Sequence, residues 1–237
     1  MNRMLFALLA LGLATQTATA GPWPRTPGDL FLTFGREIRD SGAWESVYAE
    51  YGISERMTFV LDAGQSKEGG WLGYAALRMP VWDSGAQRVA MSFGFGLEHS
   101  KYDALTPEMA LAPLAAKGLI SADGATYAML QTAIGWGMGF DTALGGGWST
   151  VDATLRRAVS DDREQRKLDA AVGLNLRETR AVFGQVQYSD PRVIDPQIRV
   201  GAGWVEKFGQ ISVEAGVGKH LRHDKDTDLK LGLWLEF

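Results

Sequence analysis

From about residue 28 onward, apolar residues recur at every second position in segments of roughly ten residues, separated by turn-type clusters. The last segment shows it best. Leu229, Leu231, Leu233, Leu235 and Phe237 fall on one face of an extended chain, and Lys230, Gly232, Trp234 and Glu236 fall on the other. Val89, Met91, Phe93, Phe95 and Leu97 alternate in the same way with Ala90, Ser92, Gly94, Gly96 and Glu98. So do Leu168 to Leu176, Ile198 to Trp204 and Ile211 to Val217 with their neighbours. A period of two is the period of a strand. The pattern predicts strands over 28–38, 43–51, 56–65, 70–79, 87–99, 125–139, 147–158, 166–177, 180–188, 196–205, 209–219 and 227–237. That makes an all-β chain of about twelve strands, with ten as the alternative count. Residues 28–51 are the most blurred.

The links between these segments fall into two sets. Counting from an inner N-terminus, the longest and most charged links, 100–124, 159–165 and 220–226, share the outer end. The links at 52–55, 177–180 and 205–209 are short, whereas 80–86 and 141–146 are longer than inner turns usually are. Short inner turns and long outer loops are the asymmetry of a single antiparallel transmembrane β-barrel. Residues 104–118 break the alternation. They are alanine-rich, and Thr106-Pro107-Glu108 reads as a helix start, which predicts one short helix in the longest outer loop. That helix either packs on the rim or enters the lumen as a lid.

The first twenty residues change what the rest means. Asn2 and Arg3 give a positive start, Met4 to Leu13 is an apolar run, and Ala18-Thr19-Ala20 matches a small-residue cleavage pattern. Residues 1–20 therefore read as a secretory signal peptide, with the barrel over 21–237. The apolar run is short for a spanning helix. Removing it takes away Arg3 and no acidic residue, moving the formal charge from -4 to -5. No basic stripe is present, so nucleic acid is not expected as a partner. The chain has no cysteine, hence no disulfide framework or thiolate metal site. No later segment is apolar enough for a transmembrane helix. A membrane protein without one must be a closed barrel, because lipid satisfies no free backbone groups.

Two stretches resemble known outer-membrane barrels. The C-terminal KLGLWLEF is similar to the terminal strand read by the barrel-assembly machinery, with alternate apolar residues ending in Phe237. Tyr48 to Met57 (YAEYGISERM) resembles a hairpin found in small porin-like and transporter barrels. There the glycine turns the chain and an acidic–arginine pair sits at the periplasmic rim. The resemblance implies a Gram-negative outer-membrane location, contact with lipid and lipopolysaccharide, and channel activity as a default. It names no solute.

Candidate chemistry lies on the polar face of the strands. A charge on the lipid face at mid-membrane costs about 2–4 kcal/mol for Arg or Lys, so this face must line the lumen. It carries Glu98, Asp169, Arg177, Arg199, Glu214 and Lys230, joined on less regular strands by Asp62, Asp152 and Arg156. Mixed charges fit either a narrow polar channel for small hydrophilic solutes or a closed structural or adhesion barrel whose charges pair. The many lumen-facing glycines leave room for water or for large neighbouring side chains. Trp44, Trp71, Trp82, Trp136, Trp148 and Trp204 read as an interfacial girdle, and Trp234 as the best candidate for an inward aromatic.

Barrel enzymes exist that use Ser/His or Asp/His pairs. Here His99, His220 and His223 sit in or beside outer loops with no surrounding motif, so neither catalysis nor a cofactor is expected. His220 and His223 with Asp224, Asp226 and Asp228 form a conceivable metal set, but such a run more often forms a solvated loop.

Overall fold

The computed structural model describes residues 21–39, 42–67, 69–100, 125–191, 196–222 and 227–237. The signal-peptide reading of 1–20 and the helix expected at 104–118 fall outside them. Twelve antiparallel strands occupy most of the rest. They are β1 (Leu30–Arg39), β2 (Gly42–Ser54), β3 (Met57–Ser66), β4 (Trp71–Asp83), β5 (Gln87–Ser100) and β6 (Ala125–Thr142). The second half comprises β7 (Gly145–Ala158), β8 (Glu164–Arg177), β9 (Arg180–Asp190), β10 (Gln197–Phe208), β11 (Ile211–His220) and β12 (Thr227–Glu236). Each pairs with its chain neighbours, and β1 pairs with β12 to close a single barrel. The seam runs from Phe31 opposite Glu236 to Ile38 opposite Leu229, and Leu30 and Phe237 exchange backbone hydrogen bonds of 3.1 and 2.9 Å at its inner end. Closure leaves no free edge, which is the condition for spanning lipid with strands.

The two links that looked long as inner turns are short. β4 continues to Asp83 through a bulge at Pro80–Trp82, leaving Ser84–Ala86 as the turn. β6 continues to Thr142, so only Ala143 and Leu144 join it to β7. Both stretches carry residues of low strand propensity, Pro80 and Asp83 in one, Asp141 and a run of glycines in the other, and barrel pairing overrides them. All five inner turns have two or three residues. The hairpin at Gly52 also differs from the expected one. Its turn residues are Glu55 and Arg56, while Gly52 stays within β2 at a bulge.

The outward face is apolar over the middle of the wall. Phe93 and Phe95 on β5 are each about half exposed (49% and 50%), as are Leu130 on β6, Val217 on β11, and Leu229 and Leu231 on β12. In water this would be an aggregation surface; here it is the band that meets hydrocarbon. Trp82, Trp136 and Trp204 turn outward near the inner ends of their strands, and Trp71 stacks on His99 (5.8 Å) near the outer ends of β4 and β5.

The blurring over 28–51 has a physical source. On β1 and β2 the usual polarity is locally reversed. Arg36 and Glu45 point outward and pair at 3.6 Å, and Gln65 donates to Glu45 at 3.1 Å. They lie in one cross-strand row with Trp71 and His99, at the level where the wall meets polar headgroups. Phe31, Trp44 and Tyr48 point inward instead.

Candidate functional site

The lumen is where this chain departs from a plain tube. Gly21 to Asp29 turn back into the barrel from the inner rim. At the rim Gly28 N–H donates to Gly52 C=O (2.9 Å) and Gly52 N–H to Asp29 C=O (3.0 Å). A Cβ on Gly52 would lie 1.9 Å from the Thr26 carbonyl oxygen, so only glycine admits the segment. Deeper in, Arg25 N–H donates to Thr58 Oγ1 (3.0 Å), Pro22 is fully buried, and the Trp23 ring lies over Gly137. Gly21 packs against Thr150, its carbonyl accepting from Arg78 Nη1 at 2.8 Å.

A charge network anchors this insert. Glu50 on β2 is 1% exposed. It accepts from Arg25 Nε (2.6 Å), Arg78 Nη1 (2.6 Å) and the Tyr48 hydroxyl (2.5 Å), while Arg78 Nη2 donates to Tyr48 Oη (2.8 Å). A buried carboxylate flanked by two guanidiniums and a phenol has its lone pairs satisfied, as burial of a charge requires. Sequence reasoning missed this network. Glu50 falls within the Tyr48 to Met57 hairpin stretch, although Tyr48, Glu50 and Arg78 all share the inward parity of their strands.

The proposed lumen residues divide into three groups. At the outer end Arg199 forms a two-point contact with Asp228 (2.7 Å from Nε to Oδ2, with Nη2 on the other oxygen), also donates to Gln187 Oε1 (2.8 Å), and lies 3.6 Å from Glu37. Also in the outer half, Arg156 meets Asp62 across the lumen at 3.2 Å and donates to Gln131. Its guanidinium covers the Tyr74 ring at 3.9 Å, and Tyr74 in turn donates to Glu98 at 3.1 Å. Tyr74, Met129 and Ala158 pack there as a small apolar core. Toward the middle, Lys230 reaches Glu214 at 3.0 Å, and Trp234 Nε1 donates to the same carboxylate at 3.0 Å. Trp234 is therefore inward, edge-on to Phe31 at 6.0 Å. Arg177 sits apart, exposed at the inner rim beside a bulge in β8.

Between these groups lies a cavity of about 340 Å³. Asp62, Asp152, Arg156, Asp169, Glu214 and Lys230 border it, together with Gln131, Lys167, Gln185 and the inserted Gly21 and Pro22. Glu98, Arg177 and Arg199 do not reach it. Asp152 and Asp169 face each other directly across β7 and β8. Asp169 has Lys167 at 3.8 Å, beyond hydrogen-bond reach, and its Oδ1 has no partner. Asp152 has no ion-pair partner among the described residues.

Several of the lumen-facing glycines make room for rings. A Cβ would lie 2.3 Å from Tyr74 at Gly96, and 2.4 Å from Trp148 at Gly173, Phe183 at Gly203 and Trp44 at Gly64. Trp44 and Trp148 thus point inward and do not belong to the girdle. Tryptophan at a strand end carries the same sequence signal on either face; the small residue opposite it decides.

His99 lies on the outward face, Nδ1 within 3.0 Å of Thr126 Oγ1, whereas His220 lies inward, 3.9 Å from Asp228. The remaining members of the conceivable metal set, His223, Asp224 and Asp226, lie outside the described residues.

No family model and no curated protein matches the sequence. Solved structures do match the fold. A KdgM porin aligns over 87% of this chain and 99% of its own at 9% identity, with a TM-score of 0.59, and a NanC porin over 87% and 98% at 7% identity, with a TM-score of 0.56. LpxR from Salmonella typhimurium aligns over 88% and 99% at 8% identity, with a TM-score of 0.54. The likeness is one of fold: the chain shares with these proteins a single closed antiparallel β-barrel.

Proposed function

We propose that the barrel is a narrow, weakly selective channel for small hydrophilic solutes, held in a low-conductance state by its own N-terminal segment. The carrying observation is the polar cavity midway along the lumen. A barrel serving only as a scaffold gains nothing from an unfilled space edged by carboxylates, amides and ammonium groups, because unpaired interior polar groups cost stability. One structural match is a KdgM porin in complex with oligogalacturonate, an acidic sugar chain. An acidic solute is not carried over to this lumen. Here Arg156, Arg199 and Lys230 are each neutralised by a carboxylate, so no free cationic track remains for it. Small neutral or zwitterionic solutes fit the balance better. The reading includes no catalytic step.

A closed structural barrel is the second reading. The Glu50 network and the inserted segment favour it, since together they occupy the inner third of the lumen. Planar-bilayer recording separates the two. The refolded chain from Gly21 is compared with one lacking Gly21–Pro24, after heat-modifiable gel migration shows that both are folded. The channel reading expects small, flickering steps that grow in the shortened chain. Two silent, folded barrels would leave the structural reading.

A further inference from the structure

Of the facing carboxylates, Asp152 has no ion-pair partner among the described residues, and Asp169 has only Lys167, at 3.8 Å. Directly opposed like charges in an antiparallel pair are destabilising. The surrounding wall does not supply the missing charge. Arg78 is committed to Glu50, Tyr48 and the Gly21 carbonyl, and Arg156 to Asp62 and Gln131. Lys167 only approaches Asp169.

The inserted segment reaches this place. Gly21 packs on Thr150, two residues before Asp152 on the same inward face of β7. Asp152 and Pro22 share the space above Gly135, where a Cβ would lie 2.4 Å from Asp152 Oδ1 and 3.8 Å from Pro22 Cβ. Gly21, Asp152 and Asp169 border the same cavity. Gly21 is also the first residue after the expected cleavage site.

We propose that cleavage after Ala20 creates the missing cation, with the new α-ammonium of Gly21 inside the lumen as the counter-ion of Asp152 and Asp169. Hydrolysis of the Ala20–Gly21 bond consumes one water. Its hydroxyl goes to the Ala20 carbonyl, and its proton goes to the Gly21 nitrogen. A backbone amide at that position is neutral and would leave the two carboxylates facing each other. A free α-amine is largely protonated at neutral pH and brings three donors. Processing would thus complete the barrel interior as well as release the leader, and the N-terminus would become an internal plug tied at its tip. The inference stands on the placement of Gly21 and on cleavage after Ala20; it does not depend on whether the lumen conducts.

The test reads the amine itself. Mass spectrometry of the protein from outer membranes identifies its first residue, expected to be Gly21. Trace acetylation of the refolded chain from Gly21 then compares the α-amine in folded protein and in urea. Labelling in the folded state is expected to be slower by about tenfold or more, the scale of one pKa unit of differential interaction. The D152N/D169N chain, confirmed folded by gel migration, is expected to lose most of that protection. An amine merely buried by packing would stay protected in this variant, which would overturn the ion pair. A native N-terminus other than Gly21, or equal labelling of folded and unfolded wild type, would overturn the inference without any variant.

Discussion

At the scale of single residues, what matters is what a side chain excludes or leaves unpaired. Gly52 is a position where the missing Cβ admits a backbone, with Thr26 occupying the place a methyl would take. Gly52→Ala is expected to expel residues 21–28 while leaving the barrel closed. Trypsin cutting after Arg25 reads this directly, slow in wild type and fast in the variant, with heat-modifiable migration unchanged. Arg78 is the opposite case, a side chain whose loss strands another. Arg78→Ala leaves Glu50, buried at 1%, with Arg25 as its sole guanidinium partner. Breaking a buried pair costs about 3–5 kcal/mol, because the abandoned charge stays desolvated. The urea midpoint for loss of the folded gel band is expected to fall accordingly. An unchanged midpoint would mean that water reaches Glu50.

At the scale of elements, the sequence carried the strands because lipid imposes a strict alternation on their outer face. β5, β8, β10, β11 and β12 each turn their apolar alternates outward, and Asp62, Asp152 and Arg156 point inward to the cavity. Phe95→Arg, in the middle of that band on β5, is expected to cost about 2–4 kcal/mol in equilibrium unfolding from lipid. Where the alternation failed, another constraint had replaced it. β1 and β2 keep Arg36 and Glu45 outward at headgroup level and bury Phe31, so the polarity rule inverts. The partners of the inward charges were not legible, because a pairing such as Arg156 with Asp62 joins β7 to β3, strands that are not neighbours in the wall. The inserted segment was equally hidden. Three prolines and two glycines in 21–28 give no period, and only the closed barrel shows that the segment has a lumen to enter. β12 separates assembly from stability. The Phe237 ring is 60% exposed on the outer face, and the backbone contacts at the seam do not involve it. If the terminal strand is read by an assembly machinery, as its resemblance implies, Phe237→Ala is expected to slow membrane insertion in a pulse-chase assay, while the urea midpoint of the finished barrel changes little.

For the whole molecule, the sign balance along the lumen decides how it would treat ions. The inner third pairs Arg25 and Arg78 with Glu50, the outer end pairs Arg199 with Asp228, and the cavity between holds Asp62 against Arg156 and Glu214 against Lys230. With Asp152 and Asp169 set against Lys167 and the Gly21 ammonium proposed above, such a path offers neither sign a continuous track, so the reversal potential in a KCl gradient is expected to lie near zero. The balance is local, however, and one substitution can tip it. Asp62 is the accessible partner of its pair, its side chain 39% exposed toward the cavity, whereas Arg156 is 5% exposed and held by Gln131 and the Tyr74 ring. Asp62→Asn therefore removes the charge a passing ion would meet and leaves the fixed one behind, with a similar volume and an intact hydrogen-bonding group. A fixed charge in a narrow low-dielectric path acts on ions far more strongly than at a surface. The reversal potential is expected to move toward chloride selectivity in this variant, with the barrel still folded. If it stays near zero while current still flows, ions bypass the Arg156–Asp62 pair, and the path through the lumen must run along β9–β12 instead.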